Sequence, residues 1–460
     1  MCGVGSGARA VSRHDGGRTG NRGAGGADLS VTPAAALSAA LARDLPPGTG
    51  RVGLAVSGGG DSLALLVLAA DWARASGACL RVATVDHGLR PEAASEASFV
   101  AASARALGLA HDTLDWRGHD GGWDGRGNLQ ARAREARYGL LTDWAQAQRL
   151  DAVCLGHTLD DQAETVLLRL ARGSGVDGLA GIAPVRRDRA GGPLWLRPLL
   201  GVRRAALREV LRARGLDWIE DPGNDDPRFD RVRARRALAQ GGVPGLDGPT
   251  LAETATRMAA ARRVLQGAAF AAARAALRVD HGAIGLDAAQ LATLPDDTRW
   301  RLLSAALCRV GGQVYRPRLK ALHRAEAAIA AGRRHVLAGC AVSVAPGRSS
   351  PATIWIDREP AALAGRRAPV PGDWDGRWRI EGPPSPDLHL AALGPEGLAQ
   401  RPGWRAAGLR RAALLTAPGI WQGTRLVAAP SLPAALDDGG HWQCRPVWDK
   451  IAACGDLCPD

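Results

Sequence analysis

The pattern of apolar and polar positions divides the chain near residue 240. Before that point, short apolar runs alternate with amphipathic stretches of helical period. The apolar runs predict strands at 51–57, 79–88, 109–116, 151–157 and 194–200. The amphipathic stretches predict helices at 61–76, 91–107, 128–149, 159–171 and 202–214. Strict alternation of this kind predicts an α/β fold with a parallel, doubly wound sheet that carries helices on both faces.

Beyond residue 240 the alternation stops, and a different architecture is expected. Residues 247–278 and 296–331 are predicted to be helical and to pack together. Strand-like pieces follow at 335–345 and 353–359, and a Pro- and Gly-rich segment near 360–385 is predicted to be a linker or loop. In a chain with 3 Phe and 2 Tyr, tryptophans are expected to fill cores more often than to stack on bases; the final part carries Trp404, Trp421, Trp442 and Trp448.

These patterns predict four regions. A Gly- and Arg-rich tail at 1–33 has the composition of a disordered segment and lacks the apolar stretch of a signal peptide. An over-extended start of the reading frame is the alternative. An α/β catalytic domain is expected at 34–240, a helical domain at 241–335 and a small mixed α+β region at 336–460.

The net charge of +13 favours a polyanionic partner such as nucleic acid. The alternative is a coding bias toward arginine, because lysine occurs only at Lys320 and Lys450. The apolar stretches are too short to cross a membrane, so we expect a cytoplasmic protein without a membrane partner. The 8 cysteines form no CxxC pair, and Cys79 and Cys154 fall in predicted buried strands, which indicates inert thiols. Cys454 and Cys458 could be half of a metal site.

The first candidate site is Ser57-Gly58-Gly59-Gly60-Asp61-Ser62, between a predicted strand and a predicted helix. Glycines there let the backbone N–H groups of a helix N-terminus approach phosphate oxygens, and the two serines add hydroxyl groups. No lysine follows the glycines, so this is not a Walker loop. The carboxylate of Asp61 would repel phosphate unless a cation such as Mg²⁺ lies between them. The alternative for Asp61 is a helix cap.

Two further polar segments follow predicted strands, and parallel strands place such loops at one edge of the sheet. Asp86, His87 and Gly88 follow the second strand, where they could face a nucleotide or form a turn. The other segment contains His157, Asp160 and Asp161. Its carboxylates could hold Mg²⁺ or an incoming ammonium group. The alternative is helix capping, because Thr158 and Asp161 have the capping spacing.

The residues SGGGDS resemble the signature of the PP-loop ATP-pyrophosphatase family. The string "HTLDDQAETVLLRLARGSGVDGLAGI" resembles the tRNA(Ile)-lysidine synthetase branch of that family, and "VDHGLR", "AREARY", "RPLL" and "IEDPGNDDPRFDRVRAR" agree with it. Together they span about residues 50–240. The chain departs from the branch at Thr158, where a second histidine is common, and at Gly223, where serine is common.

The resemblance implies that ATP adenylates the wobble cytidine of a tRNA(Ile) with anticodon CAU and that free L-lysine then displaces AMP. It implies ATP contacts from Ser57, Gly58, Gly59, Gly60, Asp61, Ser62, Asp86, His87, Gly88 and His157. The implied catalytic residues are Asp61, Asp160, Asp161, Arg137 and Arg172, with Mg²⁺ on Asp61 and Asp161. Contacts that bind tRNA or close the site are implied for Arg134, Asn224 and Arg231. The helical domain is expected to bind tRNA, the C-terminal region to contact the acceptor arm, and the protein to be a monomer or homodimer.

Three other functions are weighed. A PP-loop tRNA thiolase would use cysteine pairs in the catalytic domain, where Cys79 and Cys154 stand alone. An amidotransferase such as GMP synthetase would bring a glutaminase domain, which the sequence does not indicate. A non-catalytic RNA-binding module predicts loss of the glycines or carboxylates, and both are present. The lysidine-forming ligase is therefore the expected function.

Overall fold

The computed structural model describes residues 31–89, 92–117, 122–123, 128–187, 192–220, 228–241, 244–313, 315–345, 352–437 and 441–447. The chain forms two compact units. The first comprises Met1–Asp161, Ala190–Asp226 and Asp247–Pro249, and the second comprises Gln162–Arg189, Pro227–Leu246 and Thr250–Asp460. None of the helices in the described residues is long and apolar enough to span a membrane.

The predicted alternation of strands and helices is confirmed up to about residue 214. The strands are β1 (Arg51–Ala55), β2 (Cys79–Asp86), β3 (Ala110–Asp115), β4 (Ala152–Leu155), β5 (Val185–Arg187) and β6 (Leu194–Leu196). The helices are α1 (Pro33–Asp44), α2 (Gly60–Ser76), α3 (Ala93–Ala106), α4 (Leu129–Ala147), α5 (Leu159–Ala171), α6 (Val176–Leu179), α7 (Arg204–Ala213) and α8 (Asp230–Ala239). The elements α1, β5, α6 and α8 were not predicted from the sequence.

The sheet of the first unit is parallel, which confirms the predicted fold class. Its strands follow the order β3-β2-β1-β4-β6, and all four pairings are parallel. Helix α4 buries Leu141 and Trp144 against the sheet, while α2 packs against α1 and α7. Because β1 pairs with β2 on one side and β4 on the other, the strand order reverses at β1. Loops that follow the three strands therefore meet at one edge, where such sheets bind ligands.

The second unit contains the predicted helices and a five-stranded sheet. Its first elements are α9 (Gly248–Ala276), β7 (Leu277–Asp280), β8 (Ala283–Asp287), α10 (Ala288–Ala292), α11 (Asp296–Gly311), α12 (Leu319–Ala330), β9 (His335–Leu337), β10 (Cys340–Ala345) and β11 (Thr353–Arg358). The sheet order is β7-β8-β11-β10-β9. Gly312, with φ of +65°, ends α11, so residues 296–331 form two helices. A shared core of α11, α12 and the sheet includes Leu302, Leu307 and Ile356.

The prediction of a linker near 360–385 is wrong. This segment contributes a 3₁₀ turn at Pro360–Leu363 and the strands β12 (Ala368–Pro369), β13 (Gly372–Trp374) and β14 (Trp378–Glu381). Trp374 and Arg377 are 0% and 1% exposed. Arg377 donates from Nε to Asp375 Oδ2 at 2.9 Å, so a charged residue lies in the core with its partner. The strands are short and the core contains charged residues, so the pattern of hydrophobic positions does not predict it.

The remaining residues complete two small sheets. They form β15 (His389–Ala392), α13 (Gly394–Gln400), a 3₁₀ turn at Pro402–Trp404, α14 (Arg411–Leu414), β16 (Pro418–Gln422), β17 (Arg425–Ala428) and β18 (Gln443–Pro446). The sheet orders are β12-β15-β16-β17 and β13-β14-β18. Trp404 and Trp421 are buried, which confirms the expectation that tryptophans fill cores. Trp448, Cys454 and Cys458 lie outside the described residues.

The expectation that Cys79 and Cys154 are both buried is wrong for one of them. Cys154 is buried in β4, and burial raises the pKa of its thiol to about 12. Cys79 is exposed because it is the first residue of β2. It pairs with Arg51 at the start of β1, so it lies at the end of the sheet opposite the glycine loop. An unreactive thiol and a thiol at the opposite end of the sheet do not form a sulfur-transfer pair.

Candidate nucleotide-binding site

The glycine loop joins β1 to α2 in a shape that few side chains would allow. Gly58 has φ of +85°, a conformation that L-residues rarely adopt. A Cβ on Gly58 would also lie 2.6 Å from Cδ1 of Ile219. The Ser62 hydroxyl donates to the carbonyl of Gly59 at 2.9 Å and accepts from the backbone N–H of Ser57 at 3.1 Å. Ser62 therefore maintains the shape of the loop instead of presenting its hydroxyl outward.

The first backbone N–H groups of α2 have no side-chain cap. The cap residue Gly59 has no side chain to accept from them, and the first turn of a helix has no acceptors of its own. These groups and the helix dipole favour an anion. Asp61 does not cap α2, which excludes the structural alternative considered for it: its Oδ2 accepts from Arg204, and its buried Oδ1 has no hydrogen-bond partner in the described structure.

The segment after α7 lies along the same loop. The backbone N–H of Ile219 donates to the carbonyl of Gly58 at 3.0 Å. The indole of Trp218 lies 3.3 Å from the position of a Cβ on Gly60. Its Nε1 donates to Glu220 at 2.8 Å, and the guanidinium of Arg208 lies over the ring, 5.8 Å from its centroid. Tertiary contacts as well as glycine thus fix the loop conformation.

Three carboxylates surround the side chain and backbone of Arg204, the first residue of α7. Its Nε donates to Asp61 Oδ2 at 2.7 Å, and its Nη2 lies 3.3 Å from Asp161 Oδ1. Its backbone N–H donates to Asp160 Oδ2 at 2.7 Å. The first turns of α2 and α5, which follow β1 and β4, therefore supply acids to one place, as the sequence predicts, and α7 supplies the cation between them.

Asp161 also caps α5, so the structural alternative for this residue is confirmed. The backbone N–H and hydroxyl of Thr158 each donate to Asp161 Oδ2 at 2.8 Å. The other oxygen, Oδ1, points to Arg204. Capping and site geometry use different oxygens of the same carboxylate and do not exclude each other.

The two facing acids have opposite pKa shifts. Burial raises the pKa of Asp61 above its ordinary value, although Arg204 opposes the shift, and the charges of Asp161 and Asp160 raise it further. Burial would also raise the pKa of Asp161, but Arg204 and the N–H of Thr158 hold this pKa below its ordinary value. Asp161 therefore keeps its negative charge more readily than Asp61.

The predicted histidines lie in a positive field from nearby arginines. Burial, Arg197 and Arg137 lower the pKa of His157 to about 3, so its ring is neutral at physiological pH. Burial and Arg137 also lower the pKa of His87. His87 packs edge-on against the buried Trp116, with ring centroids 5.7 Å apart. Nδ1 of both histidines is buried without a hydrogen-bond partner in the described structure.

The remaining predicted residues have contacts of their own. Asp86 Oδ1 accepts from the N–H of Gly88 at 2.7 Å, so these two residues form the turn considered as their alternative. Arg134 stacks on Tyr138, with its guanidinium 5.2 Å from the ring centroid. In the second unit, Arg172 pairs with Asp230 at 2.6 Å, and Arg231 is exposed on α8. Asn224 lies outside the described residues.

The acids fit Mg²⁺ in one specific way. Mg²⁺ prefers oxygen ligands and often takes only one or two carboxylates when phosphates supply others. Asp61 Oδ1 is buried and unpartnered, and Asp161 Oδ1 is 3.3 Å from Arg204. Within the described ranges, no group of three or more His, Cys, Asp or Glu residues could hold a metal ion. The residues fit a metal shared with nucleotide phosphates better than one held by side chains alone.

Sequence analysis did not identify Arg204, Arg197 or the Trp218–Ile219 pair as site residues. The stretches "RPLL" and "IEDPGNDDPRFDRVRAR" contain or flank them, and these stretches already matched the family pattern. A second signal was the charge itself, because three acids predicted at one sheet edge require a cation.

Comparison with known proteins agrees with this geometry. A family model described as a PP-loop domain (ATP_bind_3) matches residues 33–241. The chain is 48% identical over 380 residues to tRNA(Ile)-lysidine synthase from Ruegeria pomeroyi. The aligned region covers 83% of this chain and 88% of that protein. It is 45% identical over 309 residues to a protein of the same name from Methylobacterium sp., covering 65% of this chain and 88% of the relative. The chain belongs to the tRNA(Ile)-lysidine synthase family.

Membership of this family confirms the resemblance inferred from the five sequence stretches. The protein is an enzyme, and its PP-loop domain is of the ATP-binding type. The family model ends at residue 241, close to where the alternation of strands and helices stops.

Proposed function

We propose that the chain is a ligase that joins free L-lysine to the wobble cytidine of tRNA(Ile) with anticodon CAU, using ATP. The observation that carries this proposal is the meeting of a phosphate-shaped glycine loop with Asp61, Asp160 and Asp161 around Arg204. The names of the relatives supply the substrate. The product, lysidine, would change codon reading from AUG to AUA.

The proposed reaction has two steps that balance. In the first, the oxygen on carbon 2 of the cytidine attacks the α-phosphorus of ATP, and pyrophosphate leaves. In the second, the ε-amine of lysine attacks carbon 2, and the C–O bond to AMP breaks. The amine must lose its protons on the way, and one of the site carboxylates or solvent accepts them. An amide-like carbonyl oxygen leaves poorly until AMP is attached, which explains the need for ATP.

The geometry supports separate roles for the acids. Asp161 is held ionised by Arg204 and Thr158, so it suits the binding of a metal cation better than the uptake of a proton. Asp160 remains as the candidate proton acceptor. The glycine loop would hold the β- and γ-phosphates as the departing pyrophosphate. His87, His157 and Arg137 would face the nucleoside part of ATP, while Arg134, Arg172, Arg231 and Asn224 remain candidates for AMP or tRNA phosphates.

Mg²⁺ would be held by Asp61 and Asp161 together with phosphate oxygens. It would supply charge neutralisation between the acids and the triphosphate. The unpartnered Oδ1 of Asp61 supports this assignment.

The test is incubation of the protein with ATP, labelled lysine and tRNA of anticodon CAU. We expect label to enter the tRNA and AMP to be released in equal amounts. Asp61→Asn should abolish incorporation, because it removes the charge that the cation needs. Exposed Asp115→Asn is the matched control and should incorporate lysine normally. Release of ADP in place of AMP, or incorporation that ignores the wobble base, would contradict the proposal. Sulfur transfer without lysine incorporation would favour the thiolase.

We also propose that the helical and C-terminal regions bind the tRNA, with the C-terminal region on the acceptor arm. The second unit has a groove of about 420 Å³ beside the start of α12. Tyr315 at this groove is 84% exposed. Cationic and aromatic side chains suit phosphates and an unpaired base. The groove is lined by Gln313, Tyr315, Pro317, Arg318, Lys320, Ala321, Arg324, Leu337 and Ala338.

Tyr315→Ala tests this contact. Stacking of a base on an aromatic ring contributes about 1–3 kcal/mol, so the KM for tRNA should rise by roughly tenfold while the Kd for ATP stays the same. Arg43→Ala, at an exposed arginine of α1 outside the regions proposed to bind tRNA, is the control and should leave both constants unchanged. An unchanged KM for tRNA in Tyr315→Ala would remove the groove from the proposed tRNA path.

A further inference from the structure

Arg204 occupies a position that the proposed reaction does not explain. It is the first residue of α7, and its side chain is 17% exposed between Asp61 (21%) and Asp161 (13%). Asp61 lies in the first turn of α2, after β1, and Asp161 lies in the first turn of α5, after β4. The guanidinium thus joins the two acids to which we assign the metal.

The backbone of Arg204 is fixed independently of its side chain. Its N–H donates to Asp160 Oδ2 at 2.7 Å, and the preceding cap residue, Arg203, makes no side-chain capping bond. Asp160 therefore caps α7 and anchors the start of the helix. The side chain of Arg204 can change partners without moving the helix, because a different atom holds the helix in place.

The hold of the guanidinium on the two acids is incomplete. A strong arginine–carboxylate pair uses two parallel bonds to one carboxylate, whereas Arg204 gives one bond of 2.7 Å to Asp61 and one of 3.3 Å to Asp161. Asp61 Oδ1 has no partner in the described structure. One guanidinium is thus shared between the two acids.

A divalent cation held by both acids would use Asp61 Oδ1, which has no partner in the described structure, and Asp161 Oδ1, which Arg204 contacts. The second oxygen of Asp161 accepts from Thr158. Guanidinium and cation therefore compete for Asp161 Oδ1 and also repel each other beside Asp61. Phosphates would resolve the competition, because they supply ligands to the cation and are good partners for arginine.

We propose that Arg204 is a positioning residue that acts as the resident counter-ion of Asp61 and Asp161 and excludes divalent cations from them until a triphosphate accepts its guanidinium. The role of the triphosphate rests on the proposed function; the competition between Arg204 and the cation does not. The consequence is ordered loading, in which the cation enters with the nucleotide and not before it.

The test measures Mn²⁺ binding without nucleotide, from the free-Mn²⁺ signal in electron paramagnetic resonance. The wild type should bind weakly at this site. Arg204→Gln removes the competing charge, and a unit charge close to the site is a large term at this burial, so the Kd for Mn²⁺ should fall by about tenfold or more. Arg203→Gln, at the exposed neighbouring residue, removes the same net charge and should stay within about twofold of the wild type. Equal Mn²⁺ affinity in Arg204→Gln and the wild type overturns the proposal.

Arg204→Lys covers the case in which Arg204→Gln fails to fold. It keeps the charge but cannot reach both acids with a planar fork, so its Kd for Mn²⁺ should fall by a few-fold; an unchanged value counts against the proposal. A further titration adds a non-hydrolysable ATP analogue. Nucleotide should tighten Mn²⁺ binding in the wild type much more than in Arg204→Gln, because only the wild type has a counter-ion to release. Equal tightening in both would overturn the ordered loading.

The outcomes separate this inference from the proposed function. Lysine incorporation by the wild type, together with unchanged Mn²⁺ affinity in Arg204→Gln, would remove the counter-ion role and leave the ligase. Tighter Mn²⁺ binding in Arg204→Gln, without lysine incorporation by the wild type, would support the counter-ion role and remove the ligase.

Discussion

Gly58 offers the sharpest test of how the loop is built. An alanine there must adopt φ of +85°, which costs about 1–2 kcal/mol for an L-residue. Its Cβ also meets Cδ1 of Ile219 at 2.6 Å, and moving that methyl off its rotamer costs about 0.5–1.5 kcal/mol. Gly58→Ala should therefore lower the free energy of unfolding by about 2–3 kcal/mol.

Two further variants separate the backbone and steric contributions. Gly77, at the other end of α2, has φ of +75° with nothing within 4 Å of its Cβ position. Gly77→Ala should therefore show only the backbone cost of about 1–2 kcal/mol. Ile219→Val removes the methyl that Gly58→Ala would meet, and the next contact is then at 3.4 Å. The double variant should be less destabilised than the sum of the single variants by about 0.5–1 kcal/mol.

The assays are urea unfolding and calorimetric titration with ATP. Gly58→Ala should weaken ATP binding by roughly tenfold or more, because loss of a phosphate-facing amide removes a charge-assisted hydrogen bond of about 1.5–3 kcal/mol. Gly77→Ala should bind ATP like the wild type. Strict additivity of Gly58→Ala and Ile219→Val would refute the steric contact. Equal ATP affinity in Gly58→Ala and Gly77→Ala would refute the role of the loop.

Two other predictions concern charge. Arg377→Met removes one of two buried arginines that pair with Asp375, while Arg358 stays 2.9 Å from this acid, so the protein should be destabilised by about 1.5–3 kcal/mol. Arg366 is 51% exposed on the same acid, and Arg366→Met should cost less than about 1 kcal/mol in urea unfolding. Burial and nearby arginines lower the pKa of His157 to about 3 in the folded protein. On acidification the unfolded protein therefore takes up a proton at this ring and the folded protein does not. The free energy of unfolding should fall as the pH drops through about 6.5, the ordinary pKa of histidine. Between pH 7 and 5 this loss is about 2 kcal/mol, and thermal unfolding of His157→Gln should lack it.

The sequence by itself determined the catalytic half of the fold. Strict alternation of apolar runs and helical periods predicted β1 to β4, β6 and their helices within a few residues, because each of these elements buries a face whose period is visible in the letters. The family resemblance predicted the glycine loop and the acids. Close approach of the backbone to phosphate requires glycine, and the negative charge of the phosphate requires a cation that acids can hold. Those requirements are local and can be read from short stretches.

The tertiary structure decided the contacts between residues that are distant in the sequence. Arg204 meets Asp61 across 143 positions, and Ile219 meets Gly58 through a backbone hydrogen bond; no local pattern specifies such pairs. The C-terminal core was missed for the same reason. From the sequence, Arg377 would be expected at the surface. In the structure it is buried because it donates to Asp375 and to the carbonyl of Thr416. A charged side chain can be buried only where its partners converge, and that convergence belongs to the folded chain.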